Sequence, residues 1–127
     1  MSKTLPLALL TTVSATLLLS ACSAGPAPVS YKTDVKPLID HYCSECHLPG
    51  GAGAEASGFV TQTYESLMKG TKFGPVIVAN DPASSSLYRL IAGKADPSIR
   101  MPHSKEPMKD ADIQTIENWI AQGAQNN

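Results

Sequence analysis

The sequence has little net charge and few cysteines, and both shortages narrow the classes of protein to which it can belong. It contains ten Lys and Arg residues against eleven Asp and Glu residues, for a formal net charge of −1, and only three cysteines. Proteins that bind nucleic acid carry a basic patch or stripe, and the sequence has no such cluster. A net charge so close to zero also predicts no strong steering toward a highly charged partner. Because no internal repeat occurs, the part beyond residue 30 is predicted to form one small domain.

Two of the three cysteines occur in the run Cys43-Ser44-Glu45-Cys46-His47, which has the pattern C-x-x-C-H. This pattern is typical of the site at which a c-type haem is covalently attached. Residues three and four apart share one face of a helical turn, so both cysteines and the histidine can point toward one flat ligand. The thiols can form thioethers with the vinyl groups of the porphyrin, and the imidazole can ligate its iron. We therefore predict one covalently bound haem c (heme c).

Three other interpretations of this run are weaker. A zinc site needs four protein ligands, and besides Cys43 and Cys46 only His41, His47 and His103 remain as candidates. A thioredoxin-like C-x-x-C would follow a strand in a βαβ unit, whereas here an amphipathic helix is predicted before the run and a glycine-rich loop after it. A disulfide between Cys43 and Cys46 leaves His47 without a role, and we retain it only as a state that precedes haem insertion.

The first 21 residues have the pattern of a bacterial export signal. A basic residue near the start is followed by an apolar stretch over residues 5–19, and Leu-Ser-Ala-Cys occupies residues 19–22. The apolar stretch is short for a transmembrane helix, so a retained membrane anchor is the secondary interpretation. Residues 19–22 resemble the lipobox of bacterial lipoproteins. That resemblance implies that residues 1–21 are removed and that Cys22 carries two or three acyl chains, enough for stable membrane anchoring.

These assignments account for all three cysteines, since Cys22 takes lipid while Cys43 and Cys46 take haem. Export agrees with haem attachment, which in the family that the motif resembles occurs on the outer side of the bacterial inner membrane. We therefore expect a protein of the bacterial periplasm that is lipid-anchored to the inner or the outer membrane. Residues 22–30 are small and punctuated by proline, and we predict that they form the lipidated cysteine and a flexible tether.

The domain is predicted to span residues 31–124, followed by a tail of residues 125–127, and to be all α-helical. Apolar residues spaced as on one face of a helix begin at Tyr31, and Thr33 or Asp34 is the expected N-cap. This helix leads directly into the C-x-x-C-H run. It is therefore predicted to deliver the haem motif.

The remainder of the domain is predicted to be mostly short elements. Residues 48–58 contain four glycines and are expected to form a loop that approaches the porphyrin edge. The final helix is predicted from a cap at Asp110 to a stop at Gly123. Between them we predict two short helices, over residues 63–69 and 84–92. An apolar stretch over residues 74–78 is predicted either to lie against the haem or to be ordinary core, and a small strand is a further alternative there.

Together these features resemble a class I monohaem cytochrome c, and in particular the small domains known as planctomycete-type cytochrome c. The resemblance rests on the order of helix, C-x-x-C-H, glycine-rich loop, short helices, Met101-Pro102 and closing helix. Its matching stretches are residues 34–47, 81–93 and 100–123. The resemblance implies a cytochrome c-like fold with crossed N- and C-terminal helices around the haem. It also implies that His47 is the proximal iron ligand and that Met101 is the distal one.

Physical reasoning on the sequence also favours Met101 as the distal ligand. Pro102 biases the preceding residue toward an extended conformation, which can present a thioether from a loop. Met68 falls in an apolar helical stripe and is predicted to be a core residue. Met108, just before the final helix, and His103 are competing ligands, and an open distal site is a further alternative. A bis-histidine site would have a lower reduction potential than a His/Met site.

We therefore predict a one-electron carrier that cycles between Fe(II) and Fe(III), with no catalytic residues of its own. Its predicted partners are redox proteins that the sequence does not identify, and the membrane through Cys22, with no nucleic acid. The alternative is a haem enzyme or gas-binding sensor with an open or displaceable distal site. A two-haem peroxidase is disfavoured because there is only one C-x-x-C-H run. A purely structural binding module would leave the redox cofactor idle.

Overall fold

The computed structural model describes residues 25–127, and its regular secondary structure is entirely helical. A π-helical turn and a 3-10 turn accompany six α-helices. The helices are α1 (Lys36–Tyr42), α2 (Ser44–His47), α3 (Ala52–Ser57), α4 (Tyr64–Lys69), α5 (Ser86–Ile91) and α6 (Asp110–Ala121); the π-helical turn is Tyr31–Val35 and the 3-10 turn is Pro97–Ile99. The prediction of an all-α fold is confirmed. No helix among residues 25–127 has both the length and the hydropathy needed to span a bilayer.

Two predictions fall on residues that the structure does not describe. The predicted signal peptide, residues 1–21, and the predicted lipidation site Cys22 both lie outside residues 25–127.

The alternative of a small strand over residues 74–78 is wrong. Within the described chain, the only strand-like pairing nearby is an isolated bridge between Thr71 and Gly74.

The first helical segment begins earlier than the sequence predicts. Ser30 is its N-cap, and the Ser30 hydroxyl accepts a hydrogen bond from the Thr33 N–H at 3.3 Å, so the predicted caps Thr33 and Asp34 are wrong. The segment opens as a π-helical turn, in which the Val35 N–H bonds to the Ser30 carbonyl five residues back at 3.2 Å. Val35 and Ile39 are fully buried on the predicted apolar face.

The first helical segment and α6 pack against each other and run antiparallel. At one end the ring of Tyr31 lies 5.5 Å from that of Trp119, and at the other the Tyr42 hydroxyl donates to Asp112 at 2.7 Å. Burial of each large apolar side chain in such a contact stabilises the fold by about 1.5–3 kcal/mol. This pair forms the frame on which the shorter elements are placed.

Helix α6 begins and ends close to the predicted positions. Lys109, not Asp110, is its N-cap, so the predicted cap is off by one residue. Asp110 instead lies in the first turn, where a carboxylate interacts favourably with the helix dipole. The helix stops as predicted, with Gly123 at a φ of 98° just after it.

The central elements agree with the sequence except in the glycine-rich stretch. Helix α4 has Thr63 as its N-cap, in a capping box with Ser66, as the predicted helix over residues 63–69 requires. Helix α5 is shorter at both ends than the predicted 84–92. The predicted loop over residues 48–58 is wrong in part, because residues 52–57 form α3 and Gly58, at a φ of 75°, ends it.

Part of the predicted tether is attached to the domain. The Val29 N–H donates to the Gln122 side chain at 2.8 Å, and the Gln122 side chain donates to the Ala27 carbonyl at 2.9 Å. Residues 125–127, the predicted tail, are also bonded. The carbonyl of Gln125 accepts from the indole N–H of Trp119 at 2.9 Å, and Asn127 bonds to residues 29–32.

Candidate cofactor site

A cavity of about 510 Å³ lies between the C-x-x-C-H run, helices α3 and α5, and the loop that precedes α6. Its volume is in the range of roughly 300–1,000 Å³ that is typical of ligand and cofactor pockets. Most of the side chains that face it are apolar. The lining residues are Tyr42, Cys43, Cys46, His47, Ala52, Gly53, Ala56, Ser57, Phe59, Thr71, Val76, Leu87, Leu90, Ile91, Ser98, Ile99, Met101, Pro102, His103, Lys105 and Met108.

The C-x-x-C-H run forms a single helical turn on one wall of this cavity. Cys43 lies where α1 ends, and its carbonyl accepts hydrogen bonds from the N–H groups of Cys46 and His47 at 3.2 and 3.0 Å. The two cysteines are free thiols, and they line the same cavity as the His47 imidazole. The three side chains therefore share one face, as the spacing predicts.

The orientation of His47 is set by a backbone carbonyl. Its Nδ1 lies 3.0 Å from the carbonyl oxygen of Phe59, so Nδ1 carries the proton and donates it to that oxygen. The lone pair then resides on Nε2. Metal-binding histidines commonly donate their other ring N–H to a carbonyl in this way, which fixes both the tautomer and the ring orientation. His47 is therefore prepared to ligate through Nε2.

Two glycines let α3 pack closely on the motif. A Cβ at Gly51 would lie 2.5 Å from the Cys46 carbonyl oxygen, and one at Gly53 would lie 2.7 Å from Cε1 of His47. Real Cβ atoms do not make contacts this short, so neither position has room for a side chain unless its surroundings move. The glycines of this stretch thus serve close approach, although the stretch itself is largely helical.

The environment of Cys43 is unlike that of a redox-active thiol. Burial, with a smaller contribution from the Asp40 carboxylate, raises the pKa of Cys43 to about 11. Thioredoxin-like cysteines have pKa values lowered to about 7 or below, so that the thiolate is available at neutral pH. The thioredoxin-like interpretation is disfavoured by this and by the fold, because the C-x-x-C-H run follows helix α1 and not a strand. The zinc interpretation is disfavoured as well. Among residues 25–127, no group of three His, Cys, Asp or Glu side chains is arranged so that it could hold a metal ion.

All three side chains that the sequence offers as distal ligands also line this cavity. Met101, His103 and Met108 line the cavity, and the Met101 N–H bonds to the Leu90 carbonyl on α5 at 3.3 Å. Met108 is 3% exposed and belongs to the hydrophobic core, whereas His103 is exposed. Met68 packs against the core and does not line the cavity, in agreement with its prediction.

The structure also reveals contacts at the site that sequence reasoning missed. An ion pair between Glu45 and Lys105 connects the C-x-x-C-H turn to the loop of Met101. The hydrogen bond to Glu45 raises the pKa of Lys105. Neither this ion pair nor the contact of His47 with the Phe59 carbonyl could be predicted from the sequence. The ion pair joins residues 60 positions apart, and the carbonyl is a backbone group that every residue has.

Comparison with known proteins identifies this part of the chain. Residues 43–104 match the family model of the planctomycete cytochrome C. The match starts at Cys43 and includes Met101 and His103, while Met108 lies outside it. No curated protein and no solved structure matches the chain. The planctomycete-type cytochrome c domain inferred from the sequence is thus confirmed over these residues.

Proposed function

We propose that this cytochrome c domain holds one covalently bound haem c in the cavity and serves as a one-electron carrier. The observation that carries the proposal is the convergence of Cys43, Cys46 and His47 on a single apolar cavity of cofactor size. The donor set fits this group, because two thiols, an imidazole with a free Nε2 and two thioethers all line the same cavity. When bound, the haem supplies reversible one-electron chemistry between Fe(II) and Fe(III).

Each residue at the cavity has a definite part in this function. Cys43 and Cys46 would hold the haem through thioether bonds, and His47, whose orientation is fixed by the Phe59 carbonyl, would ligate its iron. Met101 is proposed as the distal ligand, since its thioether favours the reduced iron and raises the reduction potential. The apolar lining excludes water and lowers the local dielectric constant, which also affects the reduction potential.

The proposal that the protein is a carrier, not an enzyme, rests on the occupation of the distal wall. Met101 and Met108 both face the cavity there, and Met108 is almost fully buried. A site that binds gases or peroxide needs a distal position that is open or easily vacated. Ligation by the thioether of one of these methionines would leave no open position at the iron and would favour electron transfer over catalysis.

Visible spectra of the ferric and ferrous protein test this choice between functions. A carrier with His47 and Met101 as ligands is expected to be low-spin in both oxidation states and slow to bind carbon monoxide. A high-spin ferric spectrum with rapid binding of carbon monoxide would contradict the carrier proposal and support a haem enzyme or sensor.

We also propose that the protein is a periplasmic lipoprotein anchored through Cys22. The support is the export-signal pattern of residues 1–21 and the lipobox-like residues 19–22. Mass spectrometry of the protein from its native host is expected to find acylated Cys22 as the first residue. Cys22→Ser should block lipidation and leave the haem intact. An unmodified Cys22 thiol in the mature protein would refute the anchor.

A further inference from the structure

Residues 102–108, which we call the distal loop, connect Met101 to the core residue Met108 and have little support of their own. Five consecutive residues, 103–107, are exposed. Within residues 25–127, the only hydrogen bond or ion pair that joins the distal loop to another part of the chain is the contact of Lys105 with Glu45, which we call the latch. A segment with so few buried contacts has low local stability, so its position depends on the latch.

The backbone of the distal loop does not hold its shape by its own preference. Ser104, the residue before Lys105, has a φ of 56°. This left-handed conformation is unfavourable for residues other than glycine, and it persists only where the surrounding structure imposes it. The other restraints are at the two ends, where the Met101 N–H bonds to the Leu90 carbonyl at 3.3 Å and the Met108 side chain is 3% exposed. In the described chain, the latch is therefore the one polar restraint between these ends.

Glu45, the other member of the latch, belongs to a well-supported turn. It lies in α2, where the N–H groups of Cys46 and His47 bond to the Cys43 carbonyl at 3.2 and 3.0 Å. The His47 carbonyl in turn accepts from the Thr61 N–H at 2.8 Å. The latch thus joins the weakly supported segment next to the proposed distal ligand to the firm turn that carries the proposed haem attachment site.

We propose that the latch keeps the thioether of Met101 on the iron, and that the distal loop moves and opens the distal position when the latch breaks. The inference rests on the proposed function, in which one haem is bound and Met101 is its distal ligand. Glu45 and Lys105 are then positioning residues. Neither is a ligand, but together they limit how often Met101 leaves the iron.

The exposure of the two side chains sets the size of the effect. Glu45 is 73% exposed and Lys105 is 42% exposed, so water and salt screen their attraction. Ion pairs that are this exposed shift an equilibrium by about 1.4- to 5-fold. Loss of the latch should therefore raise the rate at which Met101 leaves the iron by a factor in this range, which is far less than the effect of removing Met101 itself.

The rate at which the ferrous holoprotein binds saturating carbon monoxide measures how often Met101 leaves the iron. Carbon monoxide is neutral, so changes in surface charge do not steer it. At low salt, Glu45→Gln and Lys105→Gln should each bind it about 1.4- to 5-fold faster than the wild type. The reversed pair, Glu45→Lys with Lys105→Glu, should restore the wild-type rate. Glu106→Gln is the matched control, because this exposed residue of the distal loop takes part in neither ion pair of the described chain, and it should bind like the wild type.

Two further measurements separate failure of the latch from failure of the proposed function. Addition of NaCl to about 1 M should speed up the wild type and leave Glu45→Gln unchanged, and the wild-type arm needs no variant to fold. Met101→Ala should bind carbon monoxide faster than any latch variant. A fast Met101→Ala, combined with wild-type rates in both glutamine variants of the latch or with no effect of salt on the wild type, would overturn the latch alone. A Met101→Ala protein no faster than the wild type would instead contradict the proposed distal ligand, and the latch with it.

Discussion

Substitution of Gly53 by alanine tests how tightly α3 packs against the haem motif. Alanine has the highest helix propensity, and a Gly-to-Ala change inside a helix normally stabilises it by about 0.5–1 kcal/mol. At Gly53, however, the new Cβ would lie 2.7 Å from Cε1 and 2.9 Å from Nε2 of His47, and 3.0 Å from the Cys46 carbonyl oxygen. The helix propensity of alanine therefore predicts a more stable protein, whereas the close contact with His47 predicts a less stable one.

The contact is expected to outweigh the propensity. Overpacking of a filled site costs about 1–3 kcal/mol, and here the imidazole cannot easily retreat because its Nδ1 is bonded to Phe59. The net result of Gly53→Ala should be a loss of about 1–2 kcal/mol in the free energy of unfolding. The ferric absorption spectrum should change as well, since the ring that is proposed to ligate the iron is displaced.

Equilibrium urea unfolding of the holoprotein, followed by far-ultraviolet circular dichroism, measures this change. Gly25→Ala is the control, because a Cβ at Gly25 meets no atom within 4 Å and should leave the unfolding midpoint unchanged. A Gly53→Ala protein as stable as the wild type, with an unaltered spectrum, would refute the packing of α3 on His47.

Further predictions concern the methionines and cysteines of the cavity. Met101→Ala should abolish the long-wavelength charge-transfer band of the ferric protein and lower its reduction potential, and an unaltered spectrum would show that Met101 is not the distal ligand. Met108→Ala should leave that band in place but cost about 2–5 kcal/mol in unfolding free energy, because it empties a core position. Since the pKa of Cys43 is raised from 9.0 to about 11 in the fold, its contribution to the stability of the haem-free chain is complete below pH 9 and is lost as the pH rises through 11. The midpoint of urea unfolding should no longer fall for this reason between pH 9 and 11 in Cys43→Ala, but should still do so in Cys46→Ala. The same pH dependence in both variants would contradict the raised pKa of Cys43.

The parts of the fold that the sequence predicts are those governed by local patterns. The buried face of α1, the helix within residues 63–69 and the stop of α6 at Gly123 follow from periodicity and from residues close in sequence. The C-x-x-C-H run predicts its own geometry, because its spacing matches one helical turn. These features need no knowledge of the rest of the chain.

The features that the sequence does not predict depend on distant contacts. Helix α3 contains Gly53, which lowers its helix propensity, yet the same glycine is required by the close approach of His47. The first helical segment is capped locally by Ser30, but Asn127, from the far end of the domain, supplies the acceptors for the N–H groups of Tyr31 and Lys32. The attachment of the predicted tether by Gln122 also depends on a distant contact, since no local pattern joins residues more than 90 positions apart.

Mass spectrometry of the digested holoprotein, after extraction with acidified acetone, tests the covalent haem site most directly. The peptide that contains Cys43 and Cys46 is expected to retain one haem through thioether bonds to both sulfurs. Complete extraction of the haem, with Cys43 and Cys46 recovered as unmodified thiols, would contradict the assignment of this cavity as a haem c site.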